Sequence, residues 1–340
     1  MAVETIRAGI VGIGTYAPER ILTNFDLTKT LETSDEWIFS RSGIRERRIA
    51  ADHEATSDLA VIACQRALED AGVLPEEVDL IITATNTPDM LFPATACLVQ
   101  DRLGATQAGA FDLLAGCTGF IYGGVVGAQF ISAGTAKTVL VVGAETMSRV
   151  INWRDRNTCV LFGDGAGAVV MRQVPHDRGI LSSMLGSDGS GGKFLDMPAG
   201  GSRLPSSSET IAQELNYLRM NGREVFKFAV RAMENGAVEV LRRAGLTNDD
   251  VDFLVPHQAN IRIIEYAAKK MKLPMERVAV NVDRYGNTST ASVPLALEEA
   301  IKGGKIKDGD NVVLIGFGAG LTWAGLLIKW YDAKSRGRRE

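Results

Sequence analysis

A chain of 340 residues can hold one large domain or two halves with a well-buried core, and 46% hydrophobic against 23% charged residues excludes a disordered composition. A formal net charge of -4 argues against a general nucleic-acid footprint, while a local basic patch for an acidic partner stays compatible with it. The cysteines (Cys64, Cys97, Cys117, Cys159) form no CxxC pair, and the three histidines (His53, His176, His257) have no zinc-like spacing to them, so a reduced cytoplasmic protein without a structural metal is expected.

In chain order, the opening MAVETIR carries no basic segment leading into a long apolar one, and no stretch approaches the roughly 18 unbroken apolar residues of a membrane span. Residues 8–13 read as a buried strand, 58–71 as a periodic helix stopped by Gly72, and 79–84 as a second strand. The string LLAGCTGF at 113–120 leads into an apolar, helix-like run over 120–130, and strands are predicted at 138–143 and 166–171. Residues 189–208, rich in Gly, Ser and Pro, read as a long surface loop. A long helix at 224–244 precedes strands at 252–255, 311–317 and 323–330, and the charge run 334–340 reads as a solvated, fraying end. Strands alternating with helices specify a layered α/β protein.

The chain also echoes itself. ALEDAGVLPEEVDLII at 67–82 matches VLRRAGLTNDDVDFLV at 240–255, with Ala71 over Ala244 and Val78 over Val251, both offset by 173 residues. The strand KTVLVVG at 137–143 matches DNVVLIG at 310–316 at the same offset. Two halves, 1–178 and 179–340, follow from this duplication. With a small gap allowed (an offset of 170), it sets Cys117 opposite Asn287, each just after a glycine and before an apolar, helix-like stretch, with His257 after a strand of the second half.

Residue by residue, two roles stay open for each of these three. Cys117 at a helix start would have its thiol pKa lowered by the helix dipole, yet a free cysteine is commonly a small buried hydrophobe. His257 in PHQAN ends a strand, where α/β folds place functional side chains, but a lone histidine is also often structural. Asn287 in YGNTST suits a left-handed turn or a helix cap equally well. Cys64 and Cys159 read as structural. The string GIG at 12–14 mimics a dinucleotide fingerprint but meets Pro18 and no clear helix, so NAD binding is not expected. GDGAG at 163–167 and GFGAG at 316–320 read by default as tight turns, or alternatively as close backbone approaches with free amides.

Together and in order, TSDEWI (33–38), RSGIRERR (41–48), AGCTGF (115–120), FGDGAGA (162–168), PHQAN (256–260), DRYGNTS (283–289) and GFGAGLTW (316–323) resemble the thiolase superfamily. Within it they are most similar to β-ketoacyl-acyl-carrier-protein synthase III, the initiating condensing enzymes of bacterial fatty-acid synthesis. The resemblance covers nearly the whole chain and implies a thiolase-like, duplicated αβαβα fold of two pseudo-symmetric halves. It makes Cys117 the nucleophile and His257 and Asn287 its partners. It assigns Trp37 and Arg156 to the coenzyme A adenine, Arg41 and Thr33 to neighbouring nucleotide contacts, and Asn260 to the pantetheine arm. Met147, Phe162, Leu218 and Met220 would line the acyl channel, Phe92 would reach the partner's channel in a homodimer, and Arg262 would meet the acidic carrier protein. Ala319 stands in a loop that is often all glycine in relatives. Its amide would complete an oxyanion hole with that of Cys117, provided its backbone needs no positive φ.

The implied reaction transfers an acyl group from acyl-CoA to Cys117 and condenses it decarboxylatively with malonyl-acyl carrier protein, with no metal or redox cofactor. Relatives of secondary metabolism that use the same site are the nearest alternative. A papain-like hydrolase also orders Cys, His and Asn this way, and the 140 residues from Cys117 to His257 match its spacing. That reading lacks the local CGSCW pattern, secretory features and the right architecture.

Overall fold

The computed structural model describes residues 6–332; the charge run 334–340 lies outside the described residues. In chain order the strands are β1 (Arg7–Tyr16), β2 (Arg20–Thr23), β3 (Glu46–Ile49), β4 (Leu80–Ala84), β5 (Gly109–Leu113), β6 (Val139–Glu145), β7 (Gly165–Val174), β8 (Gly179–Ser187), β9 (Leu195–Asp196), β10 (Arg219–Met220), β11 (Phe253–Pro256), β12 (Asn311–Gly318) and β13 (Thr322–Lys329). The α-helices are α1 (Asn24–Thr28), α2 (Asp35–Ser42), α3 (Thr56–Ala71), α4 (Thr95–Leu103), α5 (Gly119–Ser132), α6 (Ser208–Ala212), α7 (Gly222–Arg243), α8 (Ile261–Met271), α9 (Val282–Tyr285) and α10 (Ser292–Lys302).

The two main sheets repeat one plan. The first runs β1-β7-β6-β4-β5 and the second β8-β13-β12-β11. In the first, β4 runs parallel to both β6 and β5, in the second β11 runs parallel to β12, and the remaining neighbours are antiparallel. The predicted offset reappears atom by atom. The amide of Asp79 donates to Thr138 O at 3.0 Å, and the amide of Thr138 donates back to Asp79 Oδ2 at 2.9 Å. Residues 173 positions later do the same, Asp252 N to Asn311 O at 3.0 Å and Asn311 N to Asp252 Oδ2 at 2.8 Å.

Strand alternation distributes the core. Val139 and Val141 on β6 face one way and Leu140 and Val142 the other, as do Val312 and Leu314 against Val313 and Ile315 on β12. The first member of each set meets α5 and α10 through Ile121, Val125, Val293 and Leu297, so these helices form a central layer between the sheets. The outward sets are covered by α3 and α4 on one side and by α7 and α8 on the other. The result is five layers, helix–sheet–helix–sheet–helix, with the central strands β4, β6, β11 and β12 buried on both faces.

Gly12 and Gly14 lie within β1, where a Cβ at Gly12 would come 2.6 Å from Ala67 O, so these glycines admit α3 against the strand. Two expectations need correction. Residues 165–167 of GDGAG and 316–318 of GFGAG are strand, not tight turns, because both strings continue the ladders of β7 and β12. The 189–208 segment is only partly a surface loop: it begins with a 3-10 turn over Gly189–Phe194 and contributes β9, which pairs with β10.

Candidate active site

Cys117, His257, Asn287 and Ala319 line one cavity of about 430 Å³. Each arrives from the end of a core element: Cys117 between β5 and α5, His257 directly after β11, Asn287 between α9 and α10, and Ala319 directly after β12. The amide of His257 donates to Ile315 O at 2.8 Å, which continues the β11–β12 ladder by one residue. Asn287 is clamped on both sides, its amide donating to Leu161 O at 2.8 Å and its carbonyl accepting from Gly163 N at 3.1 Å.

Backbone proximity builds the other wall. Gly116 has φ +59°, and a Cβ there would lie 2.6 Å from both the nitrogen and the oxygen of Ala319. Gly318 approaches Cys117 just as closely, its hypothetical Cβ falling on the Cys117 amide. Neither loop tolerates a side chain at the crossing, so the amides of Cys117 and Ala319 belong to two loops pressed together. Ala319 is not among the residues with positive φ, which in this loop falls on Gly320. The alanine therefore keeps the amide that the loop needs.

The electrostatics depart from the dipole expectation. Thr118, not Cys117, is the cap residue of α5. Burial pushes the Cys117 thiol up to about 12, with the Glu145 carboxylate adding to the rise and a hydrogen bond with Ser289 opposing it. Burial alone pushes His257 down to about 3, so its ring is neutral over the physiological range. Its Nδ1 lies 2.6 Å from Ser292 Oγ, and that oxygen already accepts from Gln258 N at 3.4 Å. With the Ser292 hydroxyl proton assigned to Nδ1, the ring proton sits on Nε2. Nε2 is buried without a partner among the described residues, a donor waiting for an acceptor in the cavity. Phe317 packs edge-on at 5.2 Å and holds the ring plane.

Asn287 is oriented in the same sense. Ser289 N donates to its Oδ1 at 2.9 Å, which leaves Nδ2 as the end presented to the cavity. Ser289, Glu145 and Asn86 escaped the sequence reading. Glu145 is fully buried at the end of β6 and accepts from Thr87 Oγ1 at 2.6 Å, Ser289 Oγ at 2.9 Å and Asn86 Nδ2 at 2.5 Å. The available signal was an acidic residue closing the otherwise apolar strand VLVVGAE.

Met147, Phe162, Leu218, Met220 and Asn260 line the same cavity, joined by Leu195 and Met197 of the segment read as a loop. Trp37, Arg41 and Arg156 form a separate stack: the guanidinium carbons of Arg41 and Arg156 lie 4.4 and 5.0 Å from the Trp37 ring centre. Asn260 connects the two groups, its Nδ2 donating to Arg41 O at 2.8 Å while its Oδ1 caps α8. Thr33 lies just before α2 with its hydroxyl buried and unpartnered among the described residues. Arg262 is exposed in the first turn of α8. Phe92 lies outside this cavity and is 83% exposed, near Leu91 at 78% in the same segment.

Comparison with known proteins finds similarity along nearly the whole chain. The family described as 3-Oxoacyl-[acyl-carrier-protein (ACP)] synthase III matches residues 111–189, and its C-terminal counterpart matches residues 241–330. A beta-ketoacyl-[acyl-carrier-protein] synthase III of Caldanaerobacter subterraneus is 60% identical over 327 residues, covering 96% of this chain and 99% of the relative. One from Symbiobacterium thermophilum is 58% identical over 322 residues, covering 95% and 98%. The crystal structure of the Thermus thermophilus synthase III superposes with a TM-score of 0.89 at 52% identity, covering 96% of this chain and 100% of that one.

Proposed function

Because the chain belongs to the beta-ketoacyl-[acyl-carrier-protein] synthase III family, we propose that its chemistry runs on Cys117, His257 and Asn287, with the amides of Cys117 and Ala319 as the oxyanion hole. The protein is a condensing acyltransferase that initiates fatty-acid synthesis. The observation that carries the site assignment is the convergence on one cavity of a thiol, an unpartnered imidazole Nε2 and an amide whose oxygen is already held.

In the first half-reaction, Cys117 sulfur attacks the thioester carbonyl of acyl-CoA, the two amides take the negative oxygen, and coenzyme A leaves. In the second, malonyl-acyl carrier protein loses carbon dioxide. The electron pair of the broken C–C bond enters an enolate whose oxygen accepts from His257 Nε2 and Asn287 Nδ2. The carbanion carbon then attacks the acyl-Cys117 carbonyl and expels the Cys117 thiolate, giving the 3-oxoacyl product. A neutral His257 suits this role, since a hydrogen-bond donor is wanted and no proton has to be delivered. Every step uses this chain's own residues and calls for no metal or redox cofactor.

Trp37, Arg41, Arg156 and Thr33 are the proposed nucleotide contacts, and Asn260 the pantetheine contact. Met147, Phe162, Leu218 and Met220 form the proposed acyl channel. Exposed Arg262 suits an acidic carrier protein, and Phe92 suits a homodimer contact, where burial would remove an apolar side chain from water. The halves 1–178 and 179–340 carry the nucleophile and the His–Asn pair respectively. Among the described residues no helix is long and apolar enough to cross a membrane, and a cytoplasmic location is the reading we adopt.

Intact-protein mass spectrometry after mixing with acetyl-CoA or isobutyryl-CoA tests the nucleophile. One acyl group on the wild type and none on Cys117→Ala is expected; an adduct that survives Cys117→Ala removes Cys117 from the role.

A further inference from the structure

Glu145 is fully buried beside the site, and the reaction above gives it no part. Its place follows from strand alternation. Gly143 and Glu145 share the face of β6 that Val139 and Val141 turn toward the central layer. At Gly143 a Cβ would come 2.5 Å from Thr290 O, so the bare strand admits the 3-10 turn Ser289–Ala291 of the second half. Two residues on, Glu145 grips that same turn. Its Oε1 accepts from Ser289 Oγ at 2.9 Å and from Thr290 Oγ1 at 3.1 Å.

On the other side the carboxylate is anchored in its own half, accepting from Asn86 Nδ2 at 2.5 Å, Asn86 N at 3.1 Å and Thr87 Oγ1 at 2.6 Å. Ser289 Oγ already accepts from Asn86 Nδ2 at 3.1 Å, and Thr87 Oγ1 from Thr146 N at 2.9 Å, which leaves both hydroxyl protons for Glu145. A carboxylate accepts on both oxygens. Glutamine cannot replace it, because either orientation of its amide sets an NH2 against a donor of Asn86.

The turn matters because of what its first amide does. The Asn287 backbone is clamped by Leu161 and Gly163, but its side chain is set by Ser289 N, which donates to Oδ1 at 2.9 Å. Ser289 offers that amide from φ +49°, a backbone that a non-glycine residue keeps only when its surroundings hold it.

We propose that Glu145 is a positioning residue for condensation: by holding the Ser289 and Thr290 hydroxyls across the two halves, it fixes the Ser289 amide that keeps Asn287 Nδ2 turned to the enolate oxygen. This rests on Asn287 being the enolate donor. Acyl loading does not use Asn287 Nδ2. The Glu145 charge raises the Cys117 thiol, so its removal leaves loading unslowed.

The test is a double-mutant cycle on the two half-reactions, read as carbon dioxide release from malonyl-acyl carrier protein and as single-turnover acyl loading by mass spectrometry. Glu145→Gln should slow carbon dioxide release by about 10- to 100-fold, the scale of a group misplaced by about an ångström, with loading at or above the wild-type rate. In the Asn287→Ala background the same substitution should change release by less than about twofold, because the group through which Glu145 acts is gone. A bystander leaves release unchanged. A general structural support slows both half-reactions alike, or adds its full effect to that of Asn287→Ala. Each of these results overturns the proposal. If Glu145→Gln fails to fold, Ser289→Ala carries the same cycle with the same pattern expected, since it cuts the Glu145 hold at the hydroxyl and retains the amide. Wild-type release by Asn287→Ala alone overturns the enolate-donor reading instead.

Discussion

The amide of Ser289 donates to Asn287 Oδ1 at 2.9 Å, and this one contact decides which end of the Asn287 side chain meets the substrate. With the oxygen held, Nδ2 is the cavity-facing donor. Asn287→Asp keeps the acceptor for Ser289 and replaces the donor by an oxygen of nearly the same shape. Decarboxylation of malonyl-acyl carrier protein should fall by about 100-fold or more, the usual cost of losing a donor to a developing oxyanion. Acyl loading should change much less. Measured separately, equal losses in both half-reactions would contradict this division of labour.

His257 supplies a pH signature. Its folded-state value near 3 lies below the ordinary 6.5, so between those values the unfolded chain binds the extra proton and the folded chain does not. Stability from this residue is therefore intact above pH 6.5 and is lost as pH falls toward 3. Between pH 6.5 and 5 the loss amounts to about 2 kcal/mol. Urea titrations at pH 7.5 and 5 should show a smaller acid-side drop for His257→Gln than for the wild type. An identical drop in both would assign the acid sensitivity to other groups. Condensation, in turn, should show no inflection near pH 6.5.

The three residues proposed for the chemistry stood out in the sequence because each ends a core element and the repeat, with a small gap, set Cys117 opposite Asn287, but only the family resemblance gave them roles. The strand ladders were legible for the same reason: buried, β-branched runs with a strict alternation. β5 was not, because GAFDL is only half-buried and carries Asp112, whose carboxylate accepts the first amides of α4 from Thr95 and Ala96 at 2.7 Å. β8 was hidden by its serines, its residues alternating between half-buried and exposed at the edge of the second sheet. The polar floor of the site was hidden for a different reason. Asn86, Glu145 and Ser289 are brought together from positions up to 203 residues apart, and no local pattern encodes such a meeting. The same distance effect overturned the lowered pKa expected for Cys117: local sequence shows the helix that follows it, while burial and Glu145 come from elsewhere in the fold.

The crossing of the Gly116 and Ala319 loops predicts an asymmetry between two small substitutions. Gly116→Ala places a methyl where 2.6 Å separates it from Ala319 N, and it forces an L residue into a left-handed backbone. Thermal or urea denaturation should show a loss of about 1–3 kcal/mol, with acyl loading impaired as the two amides are pushed apart. Ala319→Gly preserves the amide and needs no change of backbone region, so loading should stay within a few-fold of wild type. If Ala319→Gly is the more damaging change, the methyl of Ala319 has a packing role that the amide argument leaves out.

Trp37 separates recognition of the nucleotide from chemistry at the thiol. Its ring is held by two guanidinium groups, at 4.4 and 5.0 Å from the ring centre, and it is not part of the cavity wall around Cys117. An aromatic platform for a base contributes about 1–3 kcal/mol, so Trp37→Ala should raise KM for acetyl-CoA by roughly 5- to 150-fold with kcat little changed. The discriminating substrate is acetyl-pantetheine, which has the same thioester but no nucleotide. Wild type and Trp37→Ala should load from it at equal rates. A difference on acetyl-pantetheine would mean that Trp37 acts by shaping the cavity through α2, and the adenine assignment would lose its support.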